Sequence, residues 1–191
     1  RKDRFHHGGR LQYYKNDLYL GIGDGEDKTI SDNWENPNGS ILKLYLEKKS
    51  FEILSKGLRN PWGWGFDKEN DNLWVGDVGD NDWEELNLIE NGRNYGYPSW
   101  EGPLCIRKYN FFCQKKEFKE PHLAHNHKGD EKILSITGGP VYRGNNQSIN
   151  GLVLYAGFLE GSLYGYDYKN YKIYKLFEDI NIKISSISIF G

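Results

Sequence analysis

Residues 73–77 have the sequence Leu73-Trp74-Val75-Gly76-Asp77, a short apolar strand that ends in glycine and leads into an acidic turn. The same pattern occurs once before it and once after it, as Leu18-Tyr19-Leu20-Gly21 and Leu154-Tyr155-Ala156-Gly157. Apolar runs of similar length, bounded by Gly, Asn, Asp and Pro, recur along the chain without a sustained helical period, which indicates an all-β protein. The recurring strand therefore marks one element of a repeated β-unit.

The predicted strands fall into two groups on either side of a segment between Asn91 and Lys132, which is predicted to be a long loop. The first group is Arg10–Tyr14, Asp17–Ile22, Ser40–Leu46, Phe51–Ser55, Gly63–Phe66, Leu73–Asp77 and Glu84–Ile89. The second group is Ile133–Thr137, Pro140–Arg143, Leu152–Gly157, Ser162–Tyr168, Lys172–Phe177 and Ser185–Phe190. Four-stranded units that repeat every 40–50 or so residues are typical of β-propeller blades. The sequence thus predicts about three blades and the first strand of the next.

A ring of blades closes with about 4–8 members, so three blades require further sequence. The chain starts at Arg1 and contains no methionine, which agrees with a fragment. We expect residues 1–191 to be the central part of a single propeller domain that is truncated at both ends. A β-sandwich is the alternative fold.

Composition excludes several classes of protein. The 25 basic and 27 acidic residues give a net charge of -2, so the positive surface of a nucleic-acid-binding protein is not expected. Mean hydropathy is -0.77, and no apolar run approaches the roughly 20 residues of a membrane-spanning helix. Aromatic residues make up 15% of the chain, which argues against disorder.

Blade topology predicts which polar residues share a face. The loop that enters the innermost strand and the loop between the second and third strands lie at the same end of a blade. The entering loops carry His6, Arg59, Asn60 and Thr137, and the other loops carry carboxylates and glycines, namely Asp24, Asp77, Gly79 and Asp80. Such a mouth suits a polar ligand and a hard cation. In isolation, each residue also fits an ordinary turn or a local ion pair.

Cysteines and the later histidines give weaker signals. Cys105 and Cys113 match no zinc or redox spacing, and a local disulfide between them would indicate an oxidising compartment. His122, His125 and His127 lack a matching carboxylate or thiolate pattern, so loop histidines are favoured over a metal site.

Taken in order, a set of motifs resembles the glucose/sorbosone dehydrogenase family. Its members are six-bladed, pyrroloquinoline quinone (PQQ)-dependent sugar dehydrogenases, and it also includes the hedgehog-interacting-protein-like proteins. The motifs are His6-His7-Gly8-Gly9-Arg10-Leu11, Gly23-Asp24-Gly25, Gly57-Leu58-Arg59-Asn60-Pro61-Trp62-Gly63, Leu73-Trp74-Val75-Gly76-Asp77-Val78-Gly79, Glu84-Glu85-Leu86-Asn87, the segment 92–98, Glu101-Gly102 and residues 135–144.

The resemblance implies a quinoprotein that oxidises aldose sugars at the anomeric carbon, with PQQ and Ca²⁺ as cofactors and an external electron acceptor. It implies that His6 is the general base, that Asp24 orients His6, and that Arg59 stabilises negative charge on the reduced quinone. Asn60 is implied to line the cofactor site, and we include Thr137 and Asp77 of the same mouth as cofactor-binding residues. Carbonyls of Gly79 and Asp80 are implied to bind the calcium ion. A periplasmic or secreted location is expected.

Two positions depart from the family pattern. Val78 replaces a glutamine that contacts the cofactor in the soluble glucose enzyme, and Leu159 lies near the position of a cofactor-binding lysine. The alternative function is a non-catalytic extracellular binding module of the hedgehog-interacting-protein-like kind. The combination of His6, Arg59 and Asn60 favours the enzyme.

Overall fold

A computed structural model of the chain describes residues 5–28, 31, 33–106, 118–129 and 132–177. Every regular element in this part of the chain is a β-strand, which confirms the all-β prediction. The strands are β1 (Leu11–Tyr14), β2 (Asp17–Ile22), β3 (Ser40–Tyr45), β4 (Ser50–Lys56), β5 (Pro61–Phe66), β6 (Leu73–Asp77), β7 (Trp83–Ile89), β8 (Arg93–Asn94), β9 (Trp100–Glu101), β10 (Leu104–Cys105), β11 (Leu123–Asn126), β12 (Ile136–Val141), β13 (Val153–Gly157), β14 (Ser162–Asp167) and β15 (Lys172–Phe177). Within these residues, nothing is both helical and apolar over a length that could cross a membrane.

Three sheets each contain four antiparallel strands. Their orders are β1-β2-β3-β4, with β8 added in parallel to β4, then β5-β6-β7-β11, and then β12-β13-β14-β15. Each sheet adds its strands in chain order, which is the up-and-down connection of a propeller blade. Strand β12 packs against β5 and β6, so the first strand of the third sheet lies beside the first two strands of the second.

Alternation along β6 explains how the middle sheet is buried on both faces. Successive side chains of a strand point to opposite faces. Accordingly, Leu73 and Val75 pack with Ile41 and Trp64 between the first and second sheets. Trp74 packs on the other face in a core with residues of β12, β13 and β14. A strand covered on both faces has a continuous apolar run, which is the pattern seen in β6.

Most predicted strands differ from the observed ones by one or two residues, and three have the predicted bounds, namely β2, β6 and β15. One prediction was wrong because Ile133–Thr137 and Pro140–Arg143 do not form two separate strands. The single strand β12 passes through Gly139 and Pro140 with a shift of register between Gly138 and Val141. The bulge lets one strand include a proline that otherwise suggests a break.

The segment predicted as one long loop contains a further strand. β11 pairs with β7 through the register Leu123↔Leu86 and completes the second sheet. Its sequence, Leu-Ala-His-Asn, has no alternating apolar pattern, so the register with β7 defines it. The predicted strand Ser185–Phe190 lies outside the described residues. Cys105 is disulfide-bonded, and Cys113, the other predicted partner, also lies outside the described residues.

A buried ion pair ties the second sheet to the third. Asp67, in the turn after β5, has a fully buried side chain and accepts two hydrogen bonds from Arg143, which follows β12. The distances are 2.8 Å from Nε to Oδ1 and 2.6 Å from Nη2 to Oδ2. Burial alone would raise the pKa of Asp67, but the bonds from Arg143 outweigh it and lower the pKa. The ion pair is therefore bidentate. It stabilises the folded protein at pH values above the range in which a carboxyl group ordinarily titrates.

Replacing Asp67 by asparagine should lower the free energy of unfolding of the full-length protein by about 3 kcal/mol at pH 7, because Arg143 loses its buried charged partner and keeps only the exposed Glu69. The stabilisation in the parent should be present above about pH 4 and decline as the pH falls through the lowered pKa of Asp67. Urea denaturation at several pH values measures both effects. Asp71→Asn is the matched control, since the Lys15–Asp71 pair is exposed to solvent and should contribute little to stability. Equal losses in the two variants would contradict the assignment.

Candidate functional site

Three loops meet at one end of the first two sheets. His6 lies before β1, Asp24 lies between β2 and β3, and Arg59 lies between β4 and β5. Backbone hydrogen bonds join these loops, from the Asp24 amide to the Arg59 carbonyl at 2.7 Å and from the Gly25 amide to the His6 carbonyl at 3.0 Å. A Cβ atom at Gly23 would lie 2.1 Å from the carbonyl oxygen of His6, so only glycine allows this contact. The Gly-Asp-Gly motif is thus explained by loop packing.

The imidazole of His6 lies between a carboxylate and a guanidinium group. Its Nδ1 is 2.9 Å from Oδ1 of the buried Asp24, and its Nε2 is 3.1 Å from Nη2 of Arg59. A carboxylate only accepts hydrogen bonds and a guanidinium only donates them. Nδ1 therefore carries the hydrogen and donates it to Asp24, whereas Nε2 accepts from Arg59. In this tautomer, the basic lone pair of His6 points at the neighbouring cationic group.

Arg59 is almost completely buried and gathers oxygen atoms from the β6–β7 loop. Its Nη1 donates to the carbonyls of Val78 and Gly79 at 3.0 and 2.6 Å, and its Nη2 lies 3.3 Å from Oδ1 of Asp80. Asp80 also pairs with Lys28. Burial alone would raise the pKa of Asp80, but these two cations hold it below its ordinary value. Two carbonyls and one carboxylate therefore converge on the position of the Arg59 guanidinium.

Asp77 holds the backbone of the β4–β5 loop. Its Oδ2 accepts from the Arg59 amide at 2.8 Å, and its Oδ1 accepts from the Asn60 amide at 2.6 Å. Asp77 thus fixes the backbone on which both functional side chains are mounted. Both carboxylate oxygens of Asp77 are therefore bound to this backbone. Its role as a cofactor ligand stays a prediction.

Two residues predicted for the site have buried polar atoms without a partner. Among the described residues, Asn60 Oδ1 and Thr137 Oγ1 are buried and take part in no hydrogen bond. Buried polar groups are nearly always paired in proteins, so such a group calls for an explanation. A ligand that donates to Asn60 and pairs with Thr137 would supply the missing partners. Burial also raises the pKa of Tyr97, so its hydroxyl is neutral.

These contacts bring together His6, Asp24, Arg59, Asn60, Asp77, Gly79 and Asp80. The place of Thr137 in the site stays a prediction, because no described contact joins it to them. Several supporting residues were missed from the sequence. The missed residues are the carboxylates Glu84, Glu85 and Glu101 and the hydroxyl of Tyr97. Glu84 and Glu85 belong to a quoted motif, but nothing in the sequence shows that their side chains bind backbone amides. Glu84 accepts from the amides of Gly79 and Ile136 at 3.1 and 2.9 Å and so connects the second sheet to the third.

The three later histidines have structural partners. His122 contacts the Tyr166 hydroxyl, His125 contacts the Tyr155 hydroxyl and His127 contacts Glu84, at 2.9, 2.8 and 2.8 Å respectively. Burial lowers the pKa of His125 to about 4, which keeps it neutral. In the described part of the chain, no three His, Cys, Asp or Glu side chains are grouped as metal ligands. The preference for ordinary histidines agrees with these contacts.

The profile of the glucose/sorbosone dehydrogenase family matches residues 1–188, and the chain belongs to that family. Among curated relatives, it is 33% identical to the HIPL2 protein of Arabidopsis thaliana over 83% of this chain and 29% of the relative. It is 26% identical to the aldose sugar dehydrogenase YliI of Escherichia coli over 78% of this chain and 40% of that protein.

A solved structure supports the same relationship. The PQQ-bound form of an aldose sugar dehydrogenase from Streptomyces coelicolor superposes with a TM-score of 0.70 at 25% identity, over 91% of this chain and 50% of that chain. The chain therefore spans half or less of the length of these related proteins.

Replacement of Glu85 by glutamine tests the electrostatics beneath the site. Glu85 lies opposite Asp77 across β6 and β7, and burial raises the pKa of Glu85 to about 7 and raises that of Asp77 as well. The folded protein therefore favours the protonated form of Glu85. The stabilisation that results is fully present below the unfolded pKa of about 4.3 and is lost as the pH rises through about 7. The stability of the parent relative to Glu85→Gln should fall by roughly 1 kcal/mol per pH unit between about pH 5 and pH 7 and should level off above that.

Urea unfolding of both proteins between pH 5 and pH 9 measures this difference. Glu47→Gln on the exposed β3–β4 turn is the control and should run parallel to the parent. A difference between parent and Glu85→Gln that stays constant with pH would show that Glu85 titrates normally.

Proposed function

We propose that this chain is part of a PQQ- and calcium-dependent dehydrogenase that oxidises aldose sugars at the anomeric carbon. The observation that carries the proposal is the position of His6, with Nδ1 bound to Asp24 and Nε2 beside the Arg59 guanidinium. The whole protein would be a six-bladed propeller, secreted or periplasmic, that passes electrons to an external acceptor. The substrate class and cofactor follow from the family and from the related aldose sugar dehydrogenases.

His6 is suited to remove a proton from a sugar hydroxyl. Its Nε2 carries no hydrogen, and Asp24 holds the opposite nitrogen so that the lone pair keeps a fixed direction. In this structure the lone pair accepts from Arg59, so the sugar hydroxyl would replace that hydrogen bond at Nε2. When the anomeric hydroxyl gives its proton to Nε2, Asp24 stabilises the imidazolium that forms, as an orienting carboxylate does in other acid–base pairs. The hydrogen on the anomeric carbon leaves with both bonding electrons, and the sugar becomes a lactone.

Arg59 supplies fixed positive charge next to the base. The guanidinium remains protonated throughout, and its position is set by the Asp77 carboxylate and the loop carbonyls. A positive group held in a water-poor site stabilises negative charge that develops on a neighbouring oxygen. Proton acceptor and charge stabiliser are therefore 3.1 Å apart, close enough to act on one reacting centre.

The residues present fit the two cofactors. Bound PQQ would accept the hydride from the sugar. Asn60 and Thr137 offer a buried amide oxygen and a buried hydroxyl without partners among the described residues, and Arg59 offers positive charge to an anionic quinone. Carbonyls of Gly79 and Asp80 would hold calcium, which prefers oxygen ligands. At Val78, the backbone carbonyl contacts Arg59, and the valine side chain offers the cofactor no hydrogen bond.

A non-catalytic extracellular binding module is the second candidate. It is supported by the HIPL2 and HIPL1 proteins of Arabidopsis thaliana, which are 33% and 35% identical to this chain, compared with 26% for the aldose sugar dehydrogenase of Escherichia coli. Such a module would use the same mouth to bind a protein or glycan and would require neither PQQ nor a base at His6.

Removal of the imidazole should abolish most of the activity. The full-length protein, reconstituted with PQQ and Ca²⁺, should reduce a dye when an aldose is added, and His6→Ala should lower kcat by about 100- to 10,000-fold. The neighbouring exposed histidine provides the matched control, since His7→Ala should keep the parent rate. Thermal unfolding of each variant shows whether the fold is intact.

Two outcomes would decide against the enzyme. An unchanged rate in His6→Ala would show that His6 is not the base. A parent protein that takes up no PQQ and oxidises no member of an aldose panel would remove the dehydrogenase and favour the binding module.

A further inference from the structure

We infer that Glu101 is a positioning residue of this site, because it sets the direction of the carbonyl groups of Gly79 and Asp80. As a role in the reaction, the inference rests on the proposed function, whereas the contacts themselves do not. Glu101 lies on β9, about 20 residues beyond the loop that it contacts, and its side chain is buried at 4% exposure.

One carboxylate oxygen of Glu101 binds four successive backbone amides. Oε1 accepts from Asp80 at 2.8 Å, from Asn81 at 2.7 Å, from Asp82 at 2.9 Å and from Trp83 at 3.1 Å. Consecutive amides that point into one concavity form a site for an anion. In this protein, the anion is an internal side chain, and its charge strengthens each of the bonds.

The opposite orientation of N–H and C=O in a trans peptide transmits this contact to the active site. The Gly79–Asp80 peptide directs its N–H to Glu101, so its carbonyl points away and accepts from Arg59 at 2.6 Å. The Asp80–Asn81 peptide also directs its N–H to Glu101, which turns the Asp80 carbonyl away from that carboxylate. These two carbonyls are the predicted calcium ligands.

A second carboxylate fixes the preceding peptide by the same rule. The Gly79 amide donates to Glu84 at 3.1 Å, and the Val78 carbonyl of that peptide accepts from Arg59 at 3.0 Å. A Cβ atom at Gly79 would lie 1.5 Å from the carbonyl oxygen of Trp83, so the loop is tightly closed at this point. Glu84 and Glu101 therefore anchor successive peptides whose carbonyls face Arg59.

Glu101 itself is held by neighbouring structure. It pairs with Leu104 in the β9–β10 hairpin, and the next amide, that of Gly102, donates to Glu85 at 2.7 Å. Gly102 has a φ of 56°, and a Cβ there would clash with the Trp83 ring, so glycine is required. The Glu-Gly pair thus places a carboxylate under the loop from a fixed backbone.

Glu101→Ala and Glu101→Gln in the full-length protein test the inference, with Glu47→Gln as a surface control. Amide hydrogen exchange followed by mass spectrometry should show exchange in residues 79–83 faster by about tenfold or more in Glu101→Ala, since four bonds to one acceptor are lost. Glu101→Gln should lie between parent and alanine variant, because its amide oxygen still accepts but carries no charge. Peptides from β15 should exchange at the parent rate in every variant.

Calcium titration without PQQ or sugar gives the second readout. We expect affinity to fall by about tenfold in Glu101→Ala and by less in Glu101→Gln, at an unchanged melting temperature in the glutamine variant. If Glu101→Ala unfolds globally, the isosteric Glu101→Gln decides the question by itself. Parent-like exchange in residues 79–83 of Glu101→Gln, together with parent-like calcium affinity, would overturn the inference.

The two proposals fail in distinguishable ways. If the parent protein binds no calcium and oxidises no sugar, the dehydrogenase proposal fails, but faster loop exchange in the variants would still establish Glu101 as the anchor of the loop. If the parent is active and the loop exchanges normally in both variants, only the role of Glu101 is refuted.

Discussion

The geometry of the site depends on buried carboxylates that accept hydrogen bonds from backbone amides. Asp77 binds the amides of Arg59 and Asn60, and Glu101 binds the amides that follow Gly79. A buried carboxylate without partners is strongly destabilising, whereas one that accepts several amide hydrogens offsets much of its desolvation. These contacts also hold loops, which normally vary in conformation, at fixed positions relative to the strands. The functional side chains are thus mounted on backbone that the acidic residues have already ordered.

Strand patterns were predictable because each sheet buries at least one face. The continuous run in β6 is a consequence of two cores, with Trp74 on one side and Val75 on the other. Prediction failed where a partner strand defines the element: β11 has no apolar alternation of its own, and β12 contains Pro140 beside a bulge. In both places, pairing with a strand that is distant in sequence determines the local conformation, and the propensities of the residues themselves do not predict it.

The convergence of His6, Asp24 and Arg59 was predictable to a large extent, since blade topology orders the loops and the family resemblance supplies the pairing. Their contacts agree with that expectation, with both imidazole nitrogens engaged. The anchoring carboxylates could not be found in the same way. Glu101 acts on amides about 20 residues earlier, and the sequence contains no pattern that relates a glutamate to the N–H groups of a distant turn.

Two kinds of residue therefore make up the mouth, and they differ in how their polar groups are satisfied. Anchors such as Asp77 and Glu101 use their oxygens within the fold, so their loss exposes or leaves unpaired the amides that they bind. Asn60 and Thr137 instead keep buried polar atoms without partners among the described residues. Such atoms lower stability in the free protein and gain their hydrogen bonds only with a ligand. A combination of satisfied anchors and unsatisfied groups is expected of a preorganised binding site, because the groups are ordered during folding rather than on binding.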